Sequence, residues 1–198
     1  MEAWPSHLPS PRHSRADQAP LPGGWAKADG MTSQANRGVV RARQDQFVRV
    51  PRMSVHIEQI RNVTDEIVKV FGRLLPQLSR SAKPLDRAAV MNIVDCPTNT
   101  VFVARTDDGI VGMLTLVMFP VPSGLRARIE DVVVDERARG QGVGKALTES
   151  AIQAAHQRGA RTLDLTSRPD RTAANRLYER LGFRPRESRV YRLQADPK

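Results

Sequence analysis

The stretch Arg128-Ile-Glu-Asp-Val-Val-Val-Asp-Glu-Arg-Ala-Arg-Gly-Gln-Gly-Val-Gly-Lys145, continued by ALTESAIQAAHQRG to Gly159, decides how the rest of the chain is read. Ile129 to Val134 is an apolar, β-branched run and reads as a buried strand. A charged turn, Asp135 to Arg139, leads to glycines at 140, 142 and 144. From Val143 the apolar positions Val143, Leu147, Ala151 and Ala154 recur at helical spacing, with Ser150 on the same face and Gly159 at the expected C′ position. Strand, glycine-rich turn and helix together make a device for holding phosphates. The first N–H groups of a helix have no intrahelical partner, the macrodipole adds positive charge there, and glycine lets an anion approach the backbone.

Three kinds of glycine-rich loop compete for these residues. A dinucleotide fingerprint needs a glycine where Lys145 stands, although Asp164 lies at a suitable distance downstream. A Walker A loop needs a glycine at Arg139 and a hydroxyl residue at Ala146. Neither pattern is met. The hexapeptide Arg139-Gly140-Gln141-Gly142-Val143-Gly144 instead resembles the acyl-CoA pyrophosphate loop of the GNAT superfamily of N-acetyltransferases. A second block, Ala173-Ala-Asn-Arg-Leu-Tyr178-Glu-Arg-Leu-Gly-Phe183, resembles the late helix of the same family. The resemblance covers Val55 to about Leu193, and before Thr100 it holds only in outline.

It implies an α+β GNAT fold, a mixed, mostly antiparallel sheet of six to seven strands flanked by about four helices. It also implies an acetyl-CoA-dependent transfer to a primary amine of a small molecule or peptide by direct attack. The strand backbone at Val132, Val133 and Val134 would pair with the pantetheine amides. Arg139, Gly140, Gln141, Gly142, Val143, Gly144 and Lys145 would hold the pyrophosphate, and Asn175 and Arg171 would be further cofactor contacts. Arg171 departs from the family pattern, which often has an asparagine seven residues before the tyrosine. Tyr178 would be the general acid and Glu130 the base, with Asp131 or water as substitutes for Glu130. Taken alone, Tyr178 would be a core tyrosine and Val132 to Val134 plain core strand. The phrase IEDVVV is also similar to that of glucosamine-phosphate N-acetyltransferases, which does not decide the substrate. A non-catalytic acyl-CoA-binding regulatory module is the alternative, and a homodimer stays open.

Composition bounds these readings. A chain of 198 residues with 40% apolar and 26% charged residues has room for one domain with a sizeable core. No apolar run approaches the ~20 residues that span a membrane, and a cytoplasmic protein is expected. One cysteine, Cys96, excludes an intramolecular disulfide, and four scattered histidines make no zinc pattern, so no metal is expected. The net charge of +10 suits an anionic co-substrate and raises the question of nucleic acid. Residues 1–52 carry eight Arg/Lys against four Asp/Glu and the rest 23 against 17, so the charge is spread. With aromatic residues at 5%, a nucleic-acid surface is not expected.

Residues 1–52 contain six of the 14 prolines and no sustained periodicity, and read as a disordered extension. Residues 53–198 read as the acetyltransferase domain, with Met53 as an alternative start. Along it, Val55 and Ile57 suggest a first strand, Asn62 to Leu75 a helix, with Ile67, Phe71, Leu74 and Leu78 on one stripe, that Pro76 should end or kink, and Pro84 to about Val94 a helix with Pro84 at N1. Thr100–Arg105 and Ile110–Phe119 are strands of a hairpin turned at Asp107-Asp108-Gly109. Thr162–Thr166 is a strand. A helix capped by Asp170 and closed by Gly182 follows, and Arg186–Leu193 is a last strand.

Overall fold

The structure, a computed structural model, describes residues 54–79 and 81–193. The readings of residues 1–52 as an extension and of Met53 as a start lie outside the described residues. Within them the elements are β1 (His56–Gln59), α1 (Asp65–Leu78), α2 (Arg87–Val94), β2 (Asn99–Thr106), β3 (Gly109–Val121), β4 (Gly124–Val134), α3 (Val143–Gln157), β5 (Thr162–Leu165) and α4 (Thr172–Arg180). The strands form one sheet in the order β1-β2-β3-β4-β5. The pairs from β1 to β4 are antiparallel and β4 runs parallel to β5. Among the described residues no helix is long and apolar enough to cross a membrane.

The sheet is central because its middle strands are apolar on both faces. Phe102, Ala104, Leu114, Leu116, Ala127 and Ile129 face the side covered by α3. Val101, Val103, Ile110, Met113 and Val133 face the side covered by α1 and α2. Gly112 makes the close packing of α3 on β3 feasible. A Cβ there would stand 3.0 Å from Val143 Cγ1, 3.1 Å from Leu147 Cδ1 and 3.1 Å from the carbonyl oxygen of Val133. On α3 itself Val143, Leu147 and Ala151 are buried as the periodicity predicts. Thr148 is buried as well, because its hydroxyl donates to the Gly144 carbonyl at 2.8 Å and so loses no hydrogen bond. Arg105 of β2 donates to Glu58 of β1 and to both carboxylate oxygens of Glu66 on α1, tying that helix to the sheet. The guanidinium holds Glu66 below its ordinary carboxylate value.

Several expectations are corrected. The sheet has five strands, where six to seven were expected, and Arg186–Leu193 forms no strand. Val190, Tyr191 and Leu193 alternate as strand residues do, yet they are 72%, 85% and 98% exposed. Alternation makes a strand only where a neighbour supplies the ladder, and this run has none in the structure. Helix α1 does not end at Pro76 but runs through it to Leu78. Proline so near the C-terminus forfeits one hydrogen bond without disrupting turns beyond it, and Ser79 N–H still closes on the Leu75 carbonyl at 2.9 Å. Helix α2 begins at Arg87, with Asp86 as N-cap accepting from Ala89 N at 2.8 Å. Helix α4 begins at Thr172, with Arg171 and not Asp170 at the cap.

Candidate functional site

The site begins with a register fault in β4. Thr115 pairs with Glu130 and Met113 with Val133, so Asp131 and Val132 together oppose Leu114. Asp131 takes up the extra residue in the left-handed region, at φ 51°, which aspartate tolerates better than a β-branched residue would. The bulge changes which face each side chain takes. Ile129 belongs to the α3-side core, whereas Val133, four residues on, belongs to the α1/α2-side core. The fault also coincides with the end of pairing to β5, which runs from Arg126↔Thr162 to Ile129↔Leu165 and stops. Beyond Ile129 the β4 edge from Glu130 to Val134 has no β5 partner.

A cavity of about 410 Å³ lies against that edge. Val132, Val133 and Val134 form its sheet wall, Arg139 one end, and Arg171 and Ala174 part of the helix wall. Gln77 and Leu78 of α1 close it on a further side. Past Arg139 the chain turns through Gly140 and Gly142, both at positive φ (77° and 85°), and enters α3. Gly142 is the N-cap of α3 and has no side-chain cap. The first helical bond runs from Ala146 N–H to the Gly142 carbonyl at 3.0 Å. By helix geometry the N–H groups of Val143, Gly144 and Lys145 therefore have no carbonyl within the helix. A Cβ on Gly142 would meet nothing within 4 Å, so the space beside this cap residue is open. On Gly144 it would sit 3.5 Å from Leu177 of α4 and 3.7 Å from Val134 of β4, which places the loop where strand and both helices converge.

The charged groups around the loop are partly engaged. Arg139 Nε donates to the Val134 carbonyl at 3.4 Å, and Lys145 stands 3.2 Å from Glu149 one turn along α3. Gln141 donates to the Arg137 carbonyl at 3.1 Å. Glu130 is ion-paired with Arg128, two residues earlier on the same face of β4. The Asp131 carboxyl is pushed above its ordinary value, first by partial burial and then by the charge of Glu130. Asn175 donates its amide to the carbonyls of Arg168 at 3.1 Å and Pro169 at 3.4 Å, fastening the turn between β5 and α4. Tyr178 lies one helical turn beyond Ala174 of the cavity wall. Burial pushes its phenol above the ordinary tyrosine value, and the Arg171 cation partly opposes the shift.

Of the residues singled out in sequence, the fold thus brings Val132, Val133, Val134, Arg139 and Arg171 into one cavity wall. Gly140 to Lys145 continue from its Arg139 end, while Glu130, Asn175 and Tyr178 stand beside the cavity without lining it. Sequence reasoning missed Gln77 and placed Leu78 only on the apolar stripe of α1, giving neither a part in the site. It also missed Arg73, which reaches Asp135, a residue only 5% exposed, across 62 positions of chain. No local signal marks these residues, because their partners are distant in sequence.

Such a site, an open strand edge leading to a glycine-capped helix start, can take an extended amide-bearing chain along the strand and an anion at the helix. A family model described as the acetyltransferase (GNAT) family matches residues 69–183. A mycothiol acetyltransferase of Beutenbergia cavernae is 34% identical over 79 residues, 40% of this chain and 27% of that protein, so the chain spans about a quarter of that relative's length. A glucosamine 6-phosphate N-acetyltransferase of Trypanosoma brucei brucei is 34% identical over 117 residues, 55% of this chain and 78% of that protein. The crystal structure of a Trypanosoma brucei acetyltransferase superposes with a TM-score of 0.61 at 29% identity, covering 72% of this chain and all of that one.

Proposed function

Since the chain belongs to the GNAT acetyltransferase family, we propose that it is an N-acetyltransferase that moves an acetyl group from acetyl-CoA to a primary amine by direct attack. The observation that carries this reading is the parting of β4 from β5 after Ile129, which leaves a strand edge lining a cavity together with Arg139, the residue that leads into the glycine loop. The residues present fit the co-substrate. From Glu130 to Val133 the strand backbone has no β5 partner and can pair with pantetheine amides, while the Val134 carbonyl accepts from Arg139. The open space before Gly142 and the N–H groups of Val143, Gly144 and Lys145 suit a pyrophosphate, helped by the Arg139 and Lys145 cations. Asn175 shapes the turn that carries Arg171, and Arg171 supplies a further cation to the cavity wall.

The bound thioester supplies an electrophilic carbonyl and a thiolate leaving group. The chain's task is to manage two protons. Glu130 accepts the proton that the acceptor's ammonium must lose, directly or through water, and Asp131 stands next to it as a second carboxylate. As the C–N bond forms and the C–S bond breaks, Tyr178 donates its phenolic proton to the departing sulfur, and the second proton that the nitrogen loses on becoming an amide returns through water to the Tyr178 phenolate. Burial of Tyr178 favours the neutral phenol, which keeps the acid loaded at neutral pH. The reading is tested by thiol release from acetyl-CoA across amino acids, polyamines, amino sugars and peptide N-termini. Release with one class identifies the acceptor. Binding of acetyl-CoA without release from any amine would make the chain a regulatory module instead.

A further inference from the structure

The turn that leads into the phosphate loop is held by its own bonds, Ala138 N–H to the Asp135 carbonyl at 2.9 Å and Arg139 N–H to the Glu136 carbonyl at 3.4 Å, and also from outside by α1 and β3. After β4, residues 135–138 must bring Arg139 to the cavity and aim the chain so that Gly140 to Lys145 present their N–H groups outward. Asp135 and Ala138 are buried, whereas Glu136 and Arg137 between them are exposed, so the turn depends on partners at its buried root. Here its first two residues are pinned from outside. Asp135 N–H donates to the Val111 carbonyl of β3 at 2.8 Å. One Asp135 carboxylate oxygen accepts from Arg137 N at 3.2 Å and the other from Arg73 of α1. Arg73 also donates to the Ile110 carbonyl of β3 at 2.5 Å, so its guanidinium bridges strand and turn. One helical turn further along α1, Gln77 Oε1 accepts the N–H of Glu136 at 3.0 Å. Gln77 lines the cavity beside Arg139.

We infer that Arg73 and Gln77 are positioning residues that hold the 135–139 turn so that the glycine loop is set for the acyl-CoA phosphates. The inference rests on the acetyl-CoA reading of the cavity. Asp135 is almost fully buried, and a buried carboxylate requires its partners, so Arg73 fixes the turn at its root. Gln77 satisfies the N–H of Glu136, which opens the short 3-10 turn Glu136–Ala138, and thereby sets where that turn ends at Arg139. Both residues act through the turn, not on the reacting atoms. The continuation of α1 through Pro76 has a use in this arrangement, because a helix stopped at Leu75 would leave Glu136 without Gln77.

The experiment compares wild type, Gln77→Ala, Arg73→Met and Arg73→Lys. Calorimetric acetyl-CoA affinity, the KM values for acetyl-CoA and for the amine, kcat and the unliganded melting temperature are measured for each. One hydrogen bond of this kind is worth on the order of threefold to tenfold in an equilibrium constant. Gln77→Ala and Arg73→Met are expected to weaken acetyl-CoA binding by at least about that factor, with the KM for acetyl-CoA rising more than kcat falls and the KM for the amine unmoved. Arg73→Lys, which keeps a cation for Asp135, is expected to recover part of the loss. Equal acetyl-CoA affinity in wild type and Gln77→Ala overturns the inference. So does a loss that merely follows the fraction of unfolded protein at the assay temperature. Absence of acetyl-CoA binding in wild type overturns the proposed function itself, and the positioning role with it.

Discussion

The ring of Tyr178 meets that of Phe183 edge to face, with centroids 5.9 Å apart and planes at 69°. Phe183 in turn packs against the α3-side core, so the phenol is held at the end of α4 by a contact that does not use its hydroxyl.

Tyr178→Phe should therefore keep the fold and the acetyl-CoA affinity while lowering turnover by ~10²–10⁴-fold, the usual range for a general acid. The rate should fall as pH rises through the Tyr178 pKa, which lies above the ordinary tyrosine value. Arg171→Ala removes the cation opposing that shift, so this alkaline limb should move to still higher pH. Tyr191→Phe leaves Tyr178 as the one tyrosine of the chain, and phenolate absorbance in that background reads its titration directly. Unchanged turnover in Tyr178→Phe would return the residue to a packing role.

Gly142→Asp should abolish the rise in melting temperature that acetyl-CoA produces. The substitution places a carboxylate in open space before the helix N-terminus, where a phosphate is expected. At φ 85° a side chain also costs about 1–2 kcal/mol, so the unliganded protein should melt slightly earlier and remain folded. Thermal scans with and without acetyl-CoA separate the two effects.

Gly112→Ala should destabilise the protein by about 1–3 kcal/mol, because the added methyl meets Val143, Leu147 and the Val133 carbonyl at 3.0–3.1 Å. Helix α3 must shift to relieve the contacts, and its N-terminus carries the glycine loop. Acetyl-CoA affinity should fall together with stability in a denaturant titration, although Gly112 does not itself line the cavity and only backs its Val133–Val134 wall.

Asp131→Asn should raise stability at neutral pH. Partial burial and Glu130 push the Asp131 pKa up, so the folded state holds this proton more tightly than the unfolded chain does. That contribution is present at low pH and is lost as pH rises through the folded-state pKa, leaving a penalty at neutrality. Asparagine removes the charge and still accepts the left-handed backbone. The melting temperature of Asp131→Asn should exceed that of wild type at pH 7, with the gap shrinking as pH falls toward 4. A gap independent of pH would remove the electrostatic cause.

The local units of this protein were legible in its residues. Apolar periodicity marked α1, α3 and α4, the proline and acid of its first turn marked α2, and apolar runs or alternation marked the five strands; Gly140, Gly142, Gly159 and Gly182 take positive φ, whereas Gly144 does not. Arg139 to Lys145 were read as a glycine loop entering a helix, and that geometry was legible because a glycine-capped helix start is a local object, built from consecutive residues. The β2–β3 hairpin was legible from its Asp107-Asp108-Gly109 turn, but register and the more distant partnerships were not. The bulge at Asp131 arises from how β4 meets β3, and the run from Arg186 to Leu193 has strand alternation without a strand, because ladders belong to pairs of segments. Likewise α1 crosses Pro76 and reaches Asp135 and Glu136 only because the sheet sets that helix beside the end of β4. Periodicity within one segment carries its own conformation, whereas contacts between residues some sixty positions apart are settled only when the packed sheet fixes where each segment lies.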